Sequence, residues 1–196
     1  MSVEQRAKPA AGENEGSLDA RGRWSVGRMM RDPVLDSMAL AGRPISALIL
    51  GCGDGWPVWA LAELGVGRVL GVDARPAELE RAREVRELLA YEKSKLRLER
   101  AQPLEIASSS FELVLLAETA GYPAAESDAL ELAHGCNPIA CLIFTTDGLA
   151  SREHALAAGF DSVSLLDPPA DSPRSLILGE RCLLSARARG RSNDGG

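Results

Sequence analysis

The segment LILGCGDGWPVWALAELGVGRVLGVDARP, residues 48–76, decides the fold. It contains a short apolar run, a turn with three glycines, a stretch of helical character and a second apolar run that ends at Asp73. Pro57 lies at the first turn of the helical stretch and Gly65 follows its end, which is the usual placement of these residues around a helix. The segment therefore predicts a strand, a helix and a second strand in succession.

The same alternation continues along the rest of the chain. Further helices are predicted over 76–95, 124–134 and 151–158, and further strands over 96–101, 111–117 and 139–145. Continuous apolar strands separated by helices are typical of a parallel sheet that is covered on both faces. Two last strands, in SVSLLD and ERCLLSARA, have no helix between them, so we expect them to pair antiparallel.

The pattern predicts one α/β domain. We expect a Rossmann-like, doubly wound seven-stranded sheet, mostly parallel with a C-terminal antiparallel hairpin. We place it at residues 22–188 and predict disordered tails at 1–21 and 189–196, because the N-terminal residues include few large apolar side chains. Ahead of the first strand, residues 24–40 have an uneven helical pattern that is interrupted at Pro33.

Composition limits the function classes. The 196 residues are 45% apolar and 26% charged, which is ordinary for a globular protein. The net charge of −6 argues against a nucleic-acid binder, which needs a basic surface. No run reaches the roughly 18 apolar residues of a membrane span, and the N-terminus has no signal-peptide core, so we expect a cytoplasmic protein. The four cysteines include no C-x-x-C pair and predict neither a metal site nor a disulfide framework.

The glycine turn after the first strand points to a ligand. In doubly wound sheets, ligands bind at the carboxyl ends of the strands. Gly51, Gly53 and Gly55 let the backbone turn sharply and let a ligand approach main-chain N–H groups, and the next helix directs its positive end to the same place. Asp73 ends the second strand, where its carboxylate can accept two hydrogen bonds from a ribose diol. These parts predict a nucleoside site.

The spacing of the glycines narrows the choice of nucleoside. The dinucleotide fingerprint is G-x-G-x-x-G, whereas this chain has G-x-G-x-G with Trp56 at the position of the third glycine. A pyrophosphate site is therefore disfavoured. A structural glycine turn without any ligand remains an alternative.

At these motifs the chain resembles the class I S-adenosylmethionine-dependent methyltransferases, whose usual forms are VLDxGCGxG, GxDxSxxxL and FDxVxxxxx. LILGCGDG, GVDARP and SSSFELVLLAET correspond to these forms in order, and the end of the chain is similar to the family's closing helix and hairpin. The resemblance covers about residues 45–188. It implies S-adenosyl-L-methionine as cofactor and methyl transfer to a small molecule or biosynthetic intermediate.

The resemblance also implies roles for individual residues. The glycine turn would line the methionine part of the cofactor, and Asp73 would hold the ribose hydroxyls. Ala74 and Arg75 would lie beside the adenine, where Arg75 either stacks on the ring or faces solvent. The implied cofactor-binding residues are Gly51, Cys52, Gly53, Asp54, Gly55, Asp73, Ala74, Arg75, Ala101, Gln102 and Glu118.

Candidate catalytic residues follow the fourth and fifth strands. Methyl transfer from a sulfonium mainly requires alignment of nucleophile, methyl group and sulfur, with water excluded. A general base helps when the nucleophile is a hydroxyl or an ammonium group. Glu118 is best placed, Asp147 is a second acid at the same edge, and Tyr122 could shape a substrate pocket. Each acid also has a structural alternative: Glu118 as a cofactor ligand or a solvated carboxylate, and Asp147 as a loop residue.

Two acids of the family's pattern are missing. Ile49 stands where the first strand usually carries Asp or Glu, and Arg100 stands where the third strand usually ends in an acid, with Gln102 as the nearest polar substitute. A lost charge-assisted hydrogen bond weakens binding by about 1.5–3 kcal/mol. A catalytically degenerate, methyltransferase-like binding or regulatory partner is therefore the alternative function. An aminopropyltransferase is a weaker alternative, since it needs an acidic groove that Glu118 alone does not supply.

The connection after the fifth strand bears on the kind of substrate or partner protein that the site would take. TDGLAS, residues 146–151, is too short for the lid that many small-molecule methyltransferases insert there. An open site suits a peptide-bound or carrier-bound substrate. It also suits a small substrate that is enclosed by the second subunit of a homodimer or by a partner protein.

Overall fold

A computed structural model describes residues 20–89, 92, 95–100, 111–117, 126–145, 148–166 and 182–187, and for residues 20–25 and 182 it describes the backbone only. Seven strands form one sheet: β1 (Ser46–Leu50), β2 (Arg68–Asp73), β3 (Leu96–Arg100), β4 (Leu113–Leu116), β5 (Ala140–Thr145), β6 (Ser162–Leu165) and β7 (Cys182–Arg187). Their spatial order is β3-β2-β1-β4-β5-β7-β6.

The pairing of the strands confirms the predicted sheet. β1 to β5 pair in parallel with one another, and β7 pairs antiparallel with both β5 and β6. The central strands β1, β4 and β5 are almost entirely buried, as continuous apolar runs require.

Helices cover both faces of the sheet in the described part of the chain. They are α1 (Ala20–Ala41), α2 (Trp56–Glu63), α3 (Pro76–Leu88), α4 (Glu126–Gly135) and α5 (Gly148–Ala157). Apolar residues of α1, α2 and α3 form one core cluster with one face of the sheet, and those of α4 and α5 form a second cluster on the other face. The predicted doubly wound architecture is therefore confirmed.

Two details of the helix predictions were wrong. The helix predicted to continue to residue 95 ends at Leu88, because the backbone N–H groups of Lys95 and Leu96 donate to the Glu92 carbonyl in a turn that leads into β3. The predicted interruption at Pro33 does not occur.

α1 stays continuous through Pro33 because packing outweighs the local preference of proline. Met30 and Val34, on either side of Pro33, are fully buried in the core. Ser37 Oγ donates a hydrogen bond of 2.7 Å to the Pro33 carbonyl. Proline in a helix interior removes one N–H donor, but the buried apolar face of α1 holds the helix in place.

Glu112 links three strands at the amino edge of the sheet. Its carboxylate accepts hydrogen bonds from the Ser46 N–H at 2.8 Å, from Ser46 Oγ and from Arg43 Nη2. Its backbone N–H donates to the Ser46 carbonyl at 3.1 Å, and the Ile139 N–H donates to its carbonyl at 2.8 Å. We call Arg43, Ser46 and Glu112 the amino-edge cluster. Burial opposes ionisation of Glu112, but the hydrogen bonds from Ser46 and Arg43 outweigh it and hold the pKa below its usual range.

The ends of the chain lie outside the described residues. α1 already begins at Ala20, inside the segment predicted as a tail. The predicted domain limits, 22–188, and the disordered tails at 1–21 and 189–196 stay predictions. Among the described residues, no helix is both long enough and apolar enough to cross a bilayer.

Candidate functional site

The predicted site lies at the carboxyl ends of β1 and β2. These strands pair in parallel, with Leu50 opposite Val72. The glycine turn that follows β1 therefore lies beside Asp73, the last residue of β2. α2 begins directly after the turn, so its N-terminus is at the same edge of the sheet.

The glycines of the turn face different surroundings. Gly53 and Gly55 have φ angles of 56° and 90°, which L-residues rarely adopt. A Cβ at Gly55 would lie 2.7 Å from the Trp59 ring and 2.9 Å from the Ala82 Cβ, whereas a Cβ at Gly53 would lie 3.5 Å from Arg75 Nη2. Gly55 therefore lets α2 and α3 pack closely, and Gly53 faces the Arg75 guanidinium. A contact of Gly55 with the cofactor stays a prediction.

Four N–H groups of the turn are used within the protein, including that of Gly55, which donates to the Cys52 carbonyl at 3.0 Å. Gly51, at φ 74°, and Cys52 both donate to the Val72 carbonyl, at 2.9 and 3.0 Å. The Gly53 N–H donates to Asp73 Oδ2 at 2.7 Å. The expectation that the turn offers these donors to a ligand was therefore wrong. The hydrogen bonds to β2 hold the turn against that strand, so a ligand would meet the backbone surface of the turn.

The Cys52 side chain lies in the core beneath the turn. A Cβ at Gly71, on β2, would lie 3.1 Å from Cys52 Sγ and 2.9 Å from Val58 Cγ2, so glycine at this position makes room for both side chains. Burial raises the pKa of the Cys52 thiol, and the nearby Asp73 carboxylate raises it further. The protonated thiol is a packing group, and only the backbone of Cys52 belongs to the turn.

Asp73 is fully buried, and its carboxylate accepts four hydrogen bonds from described residues. Oδ2 accepts from the Gly53 N–H at 2.7 Å and from Arg75 Nη2 at 3.0 Å. Oδ1 accepts from the Arg75 backbone N–H at 2.9 Å and from Arg75 Nε at 3.0 Å. The guanidinium thus forms a two-pronged ion pair with Asp73. We call Gly53, Asp73 and Arg75 the site cluster.

The pairing of Arg75 with Asp73 was not predicted from the sequence. Arg75 is the N-cap residue of α3, with extended backbone angles (φ −89°, ψ 107°) and no side-chain cap hydrogen bond. The GxDxSxxxL form has Ser at this position, and Ser is a favoured N-cap. The replacement of Ser by Arg at this position is the sequence signal for the pairing, because an Arg two residues after a strand-end Asp can fold back on it. Ala74, which lies between them, is half-buried.

Neither Ile49 nor Arg100 supplies the carboxylate that the family usually has at its position. Ile49 is fully buried in the apolar cluster between the sheet and α1 to α3, so it brings no polar group to the site. Arg100 ends β3, is exposed, and is the register partner of Asp73. Asp54 is half-buried, and its Oδ1 accepts a long hydrogen bond of 3.5 Å from the Trp56 N–H at the start of α2.

Five predicted site residues lie outside the described residues, namely Ala101, Gln102, Glu118, Tyr122 and Asp147. The structure does bring the strands that precede them to one edge. The Ala117 N–H donates to the Leu50 carbonyl at 2.9 Å, which places the end of β4 beside the glycine turn. The proposed roles of these five residues stay predictions.

Two methionines and a histidine outside the site have packing roles. Met29 and Met30 are buried between α1 and the sheet. His134, near the end of α4, packs edge-on against the Phe160 ring at a centroid distance of 5.3 Å. In the described ranges, no three His, Cys, Asp or Glu side chains are grouped so that they could hold a metal ion.

Comparison with known families agrees with this geometry. Residues 47–136 match the family described as "Methyltransferase domain". That range includes β1 from Ala47 onward, the glycine turn, Asp73 and Glu112. Among curated proteins, no sequence matches the chain significantly.

Solved structures share the fold at low sequence identity. An S-adenosylmethionine dependent methyltransferase from Mesorhizobium loti is 17% identical, with a TM-score of 0.60 over 87% of this chain and 100% of that chain. A methyltransferase from Geobacter sulfurreducens is 17% identical, with a TM-score of 0.59 over 84% and 80% of the two chains. EvdMO1 is 22% identical, with a TM-score of 0.59 over 81% of this chain, which spans only 41% of EvdMO1.

Proposed function

We propose that this chain, which belongs to the class I S-adenosylmethionine-dependent methyltransferase family, binds S-adenosyl-L-methionine at the carboxyl ends of β1 and β2. We further propose that it transfers the methyl group to a small molecule or biosynthetic intermediate. The observation that carries the proposal is the position of the buried Asp73 carboxylate beside the glycine turn, at one edge of a doubly wound sheet.

The described residues fit an adenosyl ligand. Asp73 has two carboxylate oxygens at the edge of the sheet, which suits the two hydroxyls of a ribose. Gly53 carries no side chain, so a ligand that replaces the neighbouring Arg75 guanidinium could approach the backbone of the turn closely. α2 begins at the turn, and a helix N-terminus favours a negative group such as the α-carboxylate of a methionine.

The chemistry requires little activation by the protein. When bound, S-adenosyl-L-methionine supplies a methyl group on a sulfonium, and the neutral thioether that remains after transfer is a good leaving group. The residues of this chain would align the acceptor and exclude water. We propose Glu118 and Asp147 as candidate general bases and Tyr122 as a pocket residue, since they follow β4, which pairs with β1, and β5, which pairs with β4, and these parallel strands end at the same edge.

The connection after β5 bears on the kind of acceptor that the site can take. β5 ends at Thr145 and α5 begins at Gly148, which leaves only residues 146 and 147 between them. This short connection supports a site that is open on the β5 side. We therefore propose either a carrier-bound or peptide-bound substrate, or a small substrate enclosed by a second subunit or partner protein.

A second candidate function is a methyltransferase-like binding or regulatory partner that has lost catalysis. Two observations favour it. Ile49 brings no acid to the site, and the Asp73 carboxylate is occupied by Gly53 and Arg75. Binding of the cofactor separates the two functions, because a degenerate partner does not require it.

The test is calorimetric titration of the full chain with S-adenosyl-L-methionine and S-adenosylhomocysteine. Asp73→Ala removes the proposed ribose ligand, and Glu112→Gln is the matched control at the opposite edge of the sheet. We expect micromolar binding that Asp73→Ala abolishes and Glu112→Gln preserves. An absence of binding up to millimolar ligand would contradict the methyltransferase proposal and favour the binding partner.

A further inference from the structure

We infer that Arg75 controls access of the ribose to Asp73. Its guanidinium occupies the acceptor positions that the two ribose hydroxyls would use, and it has to leave before an adenosyl ligand can bind there. The inference rests on the proposed function, because it concerns how the same site selects its ligand.

The hydrogen-bonding capacity of the Asp73 carboxylate is already fully used. A carboxylate has about four acceptor sites, two on each oxygen. Asp73 already accepts four hydrogen bonds, of which two come from backbone N–H groups and two from the Arg75 guanidinium. A ribose diol needs two acceptor sites on the same carboxylate. It can obtain them only by displacing two of the present donors.

The two backbone N–H donors are harder to displace from Asp73 than the Arg75 guanidinium is. The Gly53 N–H is fixed by the turn, and the Arg75 N–H is fixed by the start of α3. The Arg75 side chain is 37% exposed, so its guanidinium can move into solvent and regain hydration there. Displacement of the guanidinium therefore costs less than displacement of either backbone group.

The guanidinium also blocks the turn itself. Its Nη2 lies 3.5 Å from the position of a Cβ at Gly53, so it covers the part of the turn that an adenosyl ligand would approach. A guanidinium left beside the ligand would repel a sulfonium cation. Arg100, exposed and in register with Asp73, adds positive charge to the same edge. The site is therefore expected to disfavour the cationic ligand more than its neutral product.

Removal of the guanidinium is expected to strengthen binding. When only a fraction of the protein is open, the apparent affinity falls by that fraction. Arg75→Ser opens the site and supplies a favoured N-cap for α3, so the start of the helix is preserved. We expect S-adenosyl-L-methionine to bind roughly tenfold more tightly to Arg75→Ser than to the wild type. The gain for S-adenosylhomocysteine is expected to be smaller, because it carries no sulfonium charge.

The experiment is calorimetric titration of the full-length wild type, Arg75→Ser and Arg75→Lys with S-adenosyl-L-methionine, S-adenosylhomocysteine and adenosine. Lys keeps the charge and loses the forked geometry, so we expect Arg75→Lys to bind with intermediate affinity. Thermal unfolding of each variant without ligand shows whether a change in affinity merely follows stability.

Two results would overturn the inference alone. Weaker binding by Arg75→Ser would show that Arg75 contacts the ligand, and equal binding would show that it exerts no control. If neither the wild type nor Arg75→Ser bound any of the three ligands, the opened carboxylate would not accept a ribose. That result would overturn both the inference and the proposed function.

Discussion

Two carboxylate–arginine clusters lie at opposite edges of the sheet and are built differently. In the site cluster, Asp73 accepts from Gly53, 20 residues away, and from Arg75, two residues away. In the amino-edge cluster, Glu112 accepts from Ser46 and Arg43, which are 66 and 69 residues away. Each carboxylate accepts hydrogen bonds from one guanidinium and from at least one backbone N–H group.

The two clusters differ in how far their hydrogen bonds reach across the sheet. Glu112 joins β1 to β4, and its backbone extends the link to Ile139 before β5, so its hydrogen bonds depend on the whole sheet. Asp73 is bound by a turn and by its near neighbour in sequence, at the edge where parallel sheets bind ligands. We therefore expect changes at Glu112 to reduce stability and changes at Asp73 to reduce binding.

Asp73→Asn is expected to weaken ligand binding strongly. The substitution keeps the shape of the side chain and removes its charge, so charge-assisted hydrogen bonds worth about 1.5–3 kcal/mol are lost. We expect roughly a tenfold to hundredfold weaker affinity for S-adenosylhomocysteine, measured by calorimetric titration. Binding at the wild-type affinity would show that the ribose does not use this carboxylate.

Glu112→Gln is the matched substitution in the amino-edge cluster. Loss of charge from a carboxylate that is 9% exposed should lower the free energy of unfolding by about 2–3 kcal/mol. Urea unfolding followed by circular dichroism measures this change. The folded variant should bind S-adenosylhomocysteine as the wild type does. A loss of affinity with unchanged stability would reverse the roles assigned to the two edges.

Two glycines of the turn are expected to tolerate a side chain to different degrees. Gly55→Ala and Gly53→Ala both place a side chain at a positive φ, so this strain is shared. Only Gly55→Ala also drives a Cβ to 2.7 Å from the Trp59 ring. We expect Gly55→Ala to be about 1–2 kcal/mol less stable than Gly53→Ala in urea unfolding. Equal stabilities of the two variants would show that close packing does not require glycine at position 55.

The smallest expected effect is the pH dependence of the Glu112 contribution. Because the folded pKa of Glu112 lies below its usual range, the stability it contributes is present above the unfolded pKa and is lost as pH falls through the folded pKa. The difference in unfolding free energy between wild type and Glu112→Gln should stay constant above about pH 5 and shrink in more acidic buffer. Urea unfolding at several pH values measures it. A difference that shrank between pH 6 and 8 instead would point to another titrating group.

Most of the fold could be predicted because its signals are local. Apolar runs bounded by Gly and Pro identified the strands, and the absence of a helix between the last two strands identified the antiparallel pair. The wrong details arose where distant contacts decide. Pro33 sits in a helix that the core holds continuous, and the helix after Pro76 ends early because the chain has to turn into β3.

The site could be predicted only in part. The glycine turn and Asp73 follow from motif and strand order. The pairing of Arg75 with Asp73 could not be predicted, because the direction of the Arg75 side chain depends on the extended backbone at the start of α3. The link from Glu112 to Ser46 was equally hidden, since only the adjacency of β1 and β4 brings them together.

The most direct test of the central claim is a crystal structure of the wild-type chain with S-adenosylhomocysteine. The measured quantities are the distances from the Asp73 carboxylate oxygens to the ribose oxygens and to the Arg75 guanidinium. We expect both ribose hydroxyls within hydrogen-bonding distance of Asp73, with the guanidinium displaced from the carboxylate. A ligand bound at another site, or bound while Arg75 still forms its two-pronged pair with Asp73, would contradict the account.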